Sequence, residues 1–261
     1  MIDLHCHILP GLDDGPVNVD FSVAMARAAA EGGIQVMVAT PHVRDDYGVE
    51  AGDIETGVAQ INEALVANGI QLRVVPGAEV ALPKAIELSD YMLRRLCLGS
   101  GDYILVESPY RSSDVDLEGI LTSLQSRGFR PVLAHPERCP IFQRDPHRLA
   151  RLVNSGVLCS VTAGSLAGRF GSTVRAFTME LLSDGLVHDV ASDAHDHLHR
   201  PPDLLGGFEA AEADIPGIRE QATWFTVTAP VAILAGRPLP AAPDPPPRPP
   251  VSRWRRIVDR L

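Results

Sequence analysis

The chain has 261 residues, of which 45% are hydrophobic and 21% charged, so it can bury the core of one large domain or of two small ones. Its net charge of −10 argues against nucleic acid as the main partner, because phosphate backbones bind clustered lysine and arginine. No signal peptide is recognisable, no apolar run reaches the roughly 18–20 residues of a membrane span, and the four cysteines form no C-x-x-C pair, so we expect a cytoplasmic protein.

Short apolar runs alternate with longer helical patterns along the chain. The apolar runs predict strands over residues 1–5, 34–39, 72–76, 103–106, 131–134, 157–161 and 186–191. The helical patterns predict helices over residues 20–31, 51–68, 116–127, 146–154 and 172–183, each followed within two residues by glycine. Repeated strand–helix units indicate a closed or doubly wound parallel sheet, and seven strands favour a (β/α) barrel.

The C-terminal part has a different composition. The compact domain is predicted to span residues 1–236, and the eight prolines among residues 237–250 predict an extended linker. Residues 251–261 form a basic amphipathic tail, with Trp254, Ile257, Val258 and Leu261 on one helical face. So short a helix is unstable alone, so we expect it to dock on the barrel or a neighbouring subunit. An anionic membrane surface or a partner protein is the alternative.

Six of the seven predicted strands end in residues that can bind a metal ion. The carboxyl ends of the strands meet on one face of a parallel barrel, so these side chains are expected to converge. Imidazole and carboxylate suit divalent manganese, iron or zinc, and so many ligands fit two or three ions better than one. The candidate ligands are His5, His7, Asp14, His42, Glu79, Glu107, His135, Asp193 and His195.

Spacing adds detail to this predicted site. Residues two apart in a strand point the same way, so His5 and His7 should face one site. Asp13 and Asp14 are adjacent, and spacing alone does not decide which of them is the ligand. Glu79 can bridge two ions through its two oxygens. Ions roughly 3.5–4 Å apart would polarise an ester and lower the pKa of a bridging water, which indicates hydrolysis.

Two arginines flank the predicted site. Arg138 follows His135 by three residues and Arg200 follows His195 by five. The guanidinium group matches phosphate oxygens, so both arginines are candidates for phosphate binding. Three neighbouring residues receive other predictions: Asp3 supports the site or the fold, Cys6 packs in the core, and Glu137 either orients Arg138 or lies in solvent.

The motifs together resemble those of a known family. The H-x-H start, the lone histidine after strand two, the glutamate after strand three, H-P-E-R and S-D-x-H are similar to the polymerase-and-histidinol-phosphatase (PHP) superfamily. More narrowly, they resemble the metal-dependent tyrosine-protein phosphatases of bacterial capsular and exopolysaccharide operons. The segments that carry this resemblance are MIDLHCHILPGLDDGP, VATPH, PGAE, AHPER and SDAHDHLHRPP. The resemblance covers about residues 1–236 and excludes the linker and tail.

The resemblance implies a distorted (β/α)7 barrel of the PHP type with three ions, usually manganese, while iron, zinc or magnesium are alternatives. It implies hydrolysis of phosphotyrosine, notably on the tyrosine-rich tail of a cognate autokinase that controls polysaccharide export. Arg138 and Arg200 match the family's phosphate-binding arginines. The implied ligand sets are His5, His7, Glu79 and Asp193 for one ion, Glu79, Glu107 and His135 for a second, and Asp14, His42 and His195 for the third.

Three other functions remain open from the sequence. A small-molecule phosphatase, such as a histidinol phosphatase, would use the same site. A metal-dependent amidohydrolase would often bridge its ions with a carbamylated lysine, but the single lysine, Lys84, lies past the end of the strand that leads to Glu79. A metal-stabilised scaffold acting through its tail would have no activity. A thiol phosphatase is excluded, because no cysteine begins a C-x5-R motif.

Overall fold

The structure is a computed structural model, and it describes residues 1–108 and 116–246. All seven predicted strands are present, and two more short strands follow the second and third of them. The strands are β1 (Ile2–Cys6), β2 (Val36–Ala39), β3 (His42–Val43), β4 (Arg73–Pro76), β5 (Glu79–Ala81), β6 (Tyr103–Glu107), β7 (Arg130–Ala134), β8 (Leu158–Thr162) and β9 (Asp189–Ala191).

The five predicted helices are confirmed, with ends shifted by no more than one residue. They are α1 (Val19–Glu31), α2 (Ala51–Ala67), α5 (Leu117–Ser126), α7 (Pro146–Asn154) and α9 (Ser172–Ser183). The sequence analysis missed the short helices between them and the helices after β9. These are α3 (Leu82–Glu87), α4 (Asp90–Arg95), α6 (Pro140–Arg144), α8 (Ala163–Leu166), α10 (Leu204–Ala211), α11 (Ile218–Thr223) and α12 (Ala229–Leu234).

Side-chain caps define where several helices begin. The Asn18 side chain accepts a hydrogen bond from the backbone N–H of Phe21 at the start of α1. Asp116 does the same for Gly119 at the start of α5. Such a cap satisfies one of the free N–H groups of the first turn and stabilises a helix by about 1 kcal/mol.

Within residues 1–108 and 116–246 every strand pairing is parallel, and the strands form two sheets. One has the order β1-β2-β4 and the other the order β3-β5-β6-β7-β8-β9. The division arises where two long strands break: Pro41, which has no N–H for the ladder, lies between β2 and β3, and Gly77 lies between β4 and β5. A Cβ atom at Gly77 would lie 2.6 Å from Val38 Cγ1, so this close approach requires glycine.

The first and last strands are also neighbours. The backbone N–H of Asp193 donates to the carbonyl of His5 at 2.8 Å, and the N–H of His7 donates to the carbonyl of Ala194 at 2.9 Å. A parallel bridge joins Cys6 to Ala194. The residues that follow β9 are therefore held beside the residues that follow β1.

Most of the strands are buried on both faces, as is typical of parallel strands with continuous apolar sequences. In β6, Leu105 belongs to a smaller apolar cluster shared with Val132, while Ile104 and Val106 belong to the larger cluster beneath the helices. Cys6 is buried in the larger cluster, which confirms its predicted packing role. Side chains alternate along a strand, so Glu107 continues the Leu105 face beyond the apolar interior.

The described part of the proline-rich segment lies against the domain. Residues 237–246 form neither helix nor strand. Three backbone carbonyls of this segment accept side-chain hydrogen bonds from the domain. The carbonyl of Arg237 accepts from Tyr103 Oη, that of Ala241 from Trp224 Nε1, and that of Asp244 from Gln221 Nε2. The rest of the predicted linker and the predicted tail, residues 247–261, lie outside the described residues. No helix in the described ranges has both the length and the apolar character that crossing a bilayer requires.

Candidate metal centre

The structure brings all nine candidate ligands together beyond the carboxyl ends of the strands. They form four overlapping groups, and within each group the potential ligand atoms lie within 4.8 Å of one another. These groups do not coincide with the ligand sets implied by the family resemblance, because four side chains, those of His5, His7, His42 and Glu79, each belong to two groups. The four groups are His7, Asp14, His42 and His195; His5, His7 and Asp193; His5, Glu79 and His135; and His42, Glu79 and Glu107.

Glu79 lies at the centre of the cluster. Its Oε1 is 2.7 Å from His135 Nε2, and its Oε2 is 3.1 Å from both His5 Nε2 and His42 Nδ1. Burial would raise the pKa of this carboxyl, but the surrounding imidazoles of His5, His135 and His42 hold the pKa well below its usual range. Glu79 is therefore an ionised carboxylate with both oxygens directed at the site.

Asp13 and Asp14 have different positions, which the sequence spacing did not decide. Asp13 Oδ2 lies 2.6 Å from His7 Nδ1 and also accepts the backbone N–H of His42 at 3.0 Å. Asp14 Oδ1 lies 3.3 Å from His195 Nε2, and its side chain is 49% exposed. Asp13 therefore contacts the outer nitrogen of a candidate ligand, whereas Asp14 lies within the cluster.

Hydrogen bonds on the outer nitrogens fix two imidazoles in the form that binds a metal. The Asp13 carboxylate and the backbone carbonyl of Asp193 can only accept, so His7 donates from Nδ1 to the first and His195 donates from Nδ1 to the second, at 3.0 Å. With the proton held at Nδ1, the Nε2 of each ring points into the cluster and can bind a metal as the neutral imidazole. Metal-binding histidines in proteins commonly have this arrangement.

The donor set fits divalent cations. His7 Nε2 faces His5 Nε2 at 3.2 Å, and such facing ring nitrogens repel unless a proton or a cation lies between them. Burial lowers the pKa of His7, but the carboxylates of Asp13, Asp193 and Glu79 raise it well above its usual value. The same negative field attracts a metal ion to this point.

His135 is suited to bind a metal as a neutral ring. Burial and the nearby charge of Arg138 lower the pKa of His135 to about 4, so the imidazole is uncharged at neutral pH. The backbone at His135 and Asp193 has positive φ angles of 37° and 51°. Such conformations are costly for residues other than glycine and occur often at functional sites.

Both candidate arginines contact the same carboxylate. Arg138 Nη2 donates to Asp193 Oδ2, and Arg200 Nη2 donates to the same oxygen at 2.7 Å. Burial would raise the pKa of Asp193, but the charges of His5 and Arg138 hold it well below its usual range. The arginine side chains are 8% and 31% exposed, respectively, so positive charge borders the cluster at a point that solvent reaches.

A cavity of about 250 Å³ opens over the cluster, and two of its lining residues were missed by the sequence analysis. Arg44 Nη1 lies 3.6 Å from Glu107 Oε1, and the ring of Tyr47 is parallel to that of His42 at 5.6 Å. Both residues follow His42 closely in the chain. That proximity was the available signal, but it does not show which loop residues turn toward the cavity.

Two polar residues beside the cluster have structural partners. Asp3 Oδ1 accepts the backbone N–H of Ser192 at 3.0 Å, in agreement with its predicted supporting role. Glu137 is fully buried, so the alternative that it lies in solvent is wrong. Its Oε1 accepts the N–H of Thr162, the last residue of β8, at 3.0 Å. The strand without a candidate ligand thus contacts the segment that carries Arg138.

Comparison with known proteins adds independent information. Residues 1–217 match the model of a family described as capsular polysaccharide synthesis, CpsB/CapC. The chain is 40% identical over 196 residues to the tyrosine-protein phosphatase YwqE of Bacillus subtilis, covering 75% of this chain and 77% of that protein. It is 29% identical over 208 residues to the putative tyrosine-protein phosphatase CapC of Staphylococcus aureus, covering 77% and 79% of the two chains.

Solved structures agree with the sequence matches. One solved structure comes from work on YwqE of Bacillus subtilis and CpsB of Streptococcus pneumoniae, which are described as unique metal-dependent tyrosine phosphatases. It superposes on this chain with a TM-score of 0.82 and 34% sequence identity, and the match covers 95% of this chain and 99% of that one. The lactonase Lmo2620 of Listeria monocytogenes shares the fold alone, with a TM-score of 0.61 and 13% identity over 91% and 95% of the two chains. The family-model match and the YwqE identity together establish that this chain belongs to the CpsB/CapC family of capsular polysaccharide synthesis.

Proposed function

We propose that this chain is a metal-dependent tyrosine-protein phosphatase that hydrolyses phosphotyrosine on protein substrates. The observation that carries the proposal is the convergence of five imidazoles and four carboxylates on one cluster, buried except at Asp14, with two arginines beside it. Relatives whose names state this activity include one that is 40% identical. The buried ligands supply metal chemistry and the arginines supply phosphate recognition, which a phosphomonoesterase requires.

We propose three divalent ions, with manganese favoured and iron, zinc or magnesium as alternatives. Nitrogen and oxygen donors without thiolate support this choice. The assignment follows the sets implied by the resemblance, and Asp13 takes no part as a ligand because it contacts the outer nitrogen of His7. The sets are His5, His7, Glu79 and Asp193; Glu79, Glu107 and His135; and Asp14, His42 and His195.

The ions, when bound, would polarise the phosphate ester and lower the pKa of water. The residues of this chain perform the remaining tasks. Asp13 holds the proton of His7 at Nδ1, so that Nε2 stays available as a ligand. Arg138 and Arg200 donate N–H groups to the phosphoryl oxygens and offset the charge that develops there in the transition state. A tyrosyl leaving group has a pKa of about 10, so its departure needs only modest acid assistance.

The finer parts of the proposal concern substrate, location and architecture. The substrate is the tyrosine-rich tail of a cognate autokinase in capsule or exopolysaccharide synthesis, which the family's association with capsular polysaccharide synthesis supports. The location is the cytoplasm, which the four free cysteines support. The catalytic domain spans residues 1–236 as a distorted (β/α)7 barrel, a closure supported by the hydrogen bonds between the ends of β1 and β9. The tail of residues 251–261 docks on this domain or on a second subunit.

The test compares substrates and metal states of the purified full chain. We expect hydrolysis of para-nitrophenyl phosphate and of a phosphotyrosine peptide, loss of both activities with a chelator, recovery with manganese, and metal detected by elemental analysis. Chelator-resistant activity would contradict the metal-dependent mechanism. Complete inactivity with manganese present would favour a scaffold.

The small-molecule alternative is tested by ranking substrates. A phosphotyrosine peptide should have a higher kcat/KM than histidinol phosphate, and the reverse order would favour a histidinol phosphatase. The amidohydrolase alternative loses support from the position of Lys84. Its Nζ donates to Asp45 at 2.7 Å and to Glu87 at 3.2 Å, so it does not bridge the candidate ligands.

A further inference from the structure

We propose that Phe170 and Glu137 are positioning residues for Arg138, so that the segment around β8 holds the arginine that binds the phosphoryl group. The inference rests on the proposed phosphatase function, which assigns Arg138 to phosphate. It gives a role to the sixth of the seven predicted strands, the one that supplies no candidate ligand.

Glu137 fixes the backbone next to Arg138. It lies in the 3₁₀ turn Pro136–Arg138 and is fully buried. Its Oε1 accepts hydrogen bonds from the N–H of Thr162 at 3.0 Å, from Thr162 Oγ1 at 3.2 Å and from Ser165 Oγ at 2.6 Å. Thr162 ends β8 and Ser165 lies in α8. Displacing a buried carboxyl from so many partners is costly, so the turn is held to the end of β8.

Phe170 restrains the guanidinium group itself. Arg138 Cζ lies 4.5 Å from the centroid of the Phe170 ring. A ring face at this distance attracts the guanidinium cation without being one of the oxygen acceptors that its N–H groups bind. One N–H donor, at Nη2, contacts Asp193. The ring therefore limits rotation of a long side chain without occupying the donors that a phosphoryl group requires.

The neighbouring glycine makes room for the ring. A Cβ atom at Gly164 would lie 3.1 Å from Phe170 Cε2, which is closer than most real contacts. Gly164 belongs to α8, the helix that also carries Ser165. The short helix α8 therefore both anchors the turn that contains Arg138, through Ser165, and leaves space at Gly164 for the ring that lies over the Arg138 guanidinium.

The test is a double-mutant cycle on the full-length, manganese-loaded protein, with Phe170→Leu, Arg138→Ala and the double variant. The measurements are the affinity for inorganic phosphate by calorimetry, KM and kcat for para-nitrophenyl phosphate, and metal content. Loss of the ring in Phe170→Leu should weaken phosphate affinity and raise KM roughly 2- to 30-fold, with metal content unchanged. Phe170→Tyr keeps a ring and should restore both values.

Comparing the effect of Phe170→Leu in variants with and without Arg138 distinguishes positioning of Arg138 from a general packing role of the ring. In the Arg138→Ala background Phe170→Leu should have no further effect, whereas it should still weaken phosphate affinity in the Arg200→Ala background, where Arg138 is present. Glu137→Gln keeps an oxygen that can accept hydrogen bonds from Thr162 and Ser165, so its KM should stay close to the wild-type value. Glu137→Ala removes this acceptor, so its KM should rise. An equal effect of Phe170→Leu with and without Arg138, or loss of metal in Phe170→Leu, would overturn the inference. If the wild type fails to hydrolyse aryl phosphates, the proposed function fails separately, and the phosphate affinities still decide whether Phe170 acts through Arg138.

Discussion

Replacing Asp13 by asparagine tests whether the hydrogen bond to His7 prepares the metal centre. In the structure Asp13 accepts three hydrogen bonds, from His7 Nδ1 at 2.6 Å and from the backbone N–H groups of His42 and Gly15 at 3.0 Å each. An asparagine has one accepting oxygen and one NH2 group. Whichever way the amide is turned, its NH2 group faces a donor or donates to His7 Nδ1 and moves the ring proton to Nε2.

The expected loss follows from the kind of bond removed. A hydrogen bond to a charged group contributes about 1.5–3 kcal/mol, which corresponds to roughly 10- to 100-fold in an equilibrium constant. Partners on the outer nitrogen of metal-binding histidines have effects of the same size. We therefore expect Asp13→Asn to weaken metal affinity or to lower kcat/KM by roughly 10- to 100-fold, with the fold intact.

The assay titrates metal into the stripped protein against a competing chelator and follows hydrolysis of para-nitrophenyl phosphate. Circular dichroism checks that the variant is folded. A matched control is Asp53→Asn, the same chemical change at an exposed helix cap of α2, where Asp53 accepts the N–H of Glu50 at 2.9 Å. Wild-type metal affinity and kcat/KM in Asp13→Asn would refute the reasoning, because His7 would then bind metal equally well without its charged partner.

Three further predictions concern the arginines, pH and metal removal. Arg138→Ala and Arg200→Ala should each lower kcat/KM by roughly 10-fold or more at unchanged metal content, because each removes donors to the phosphoryl group; unaltered kinetics in either variant would remove that arginine from the proposal. Burial raises the pKa of Asp189 from 3.8 to about 8, so ionisation of the unfolded chain should destabilise the fold progressively from about pH 4 to pH 8. The melting temperature of Asp189→Asn relative to wild type should therefore rise with pH, and a pH-independent difference would show that Asp189 ionises normally. Chelation should lower the melting temperature reversibly, because the bound ions offset repulsion among the four carboxylates, and an unchanged melting temperature would argue against a buried metal centre.

The sequence was informative about the site wherever chemistry and local periodicity coincide. A candidate ligand at the end of an apolar strand needs only the strand pattern and the parallel arrangement to be placed, as with Glu107 at the end of β6. All nine candidate ligands were identified in this way or from the family motifs, and the structure brings them together. Helix ends marked by glycine were also predictable, as at Gly32 after α1.

Irregular and very short segments were less predictable. Of the helices after β9, α10 has only eight residues, too few for a clear apolar period. The helices α11 and α12 are joined by a π-helical segment, Trp224–Thr228, which breaks the regular 3.6-residue period that would have revealed one longer helix. The interruption at Gly77 and the turn of Tyr47 toward the cavity depend on close contacts with other parts of the chain. Local composition carries no information about such contacts.

The sequence alone determined which residue types end each strand, and therefore the kind of chemistry the site can perform, because strand periodicity is a local property. Only the tertiary structure decided which of two neighbouring polar residues lies in the cluster and which contacts a candidate ligand from outside it. Asp13 and Asp14 are adjacent and chemically identical, yet one contacts the outer nitrogen of His7 and the other lies beside His195. Glu137, which the sequence left between two roles, is buried through contacts with Thr162, 25 residues away. Each outcome depends on the direction of a side chain in a turn, and that direction is set by packing between segments distant in the chain.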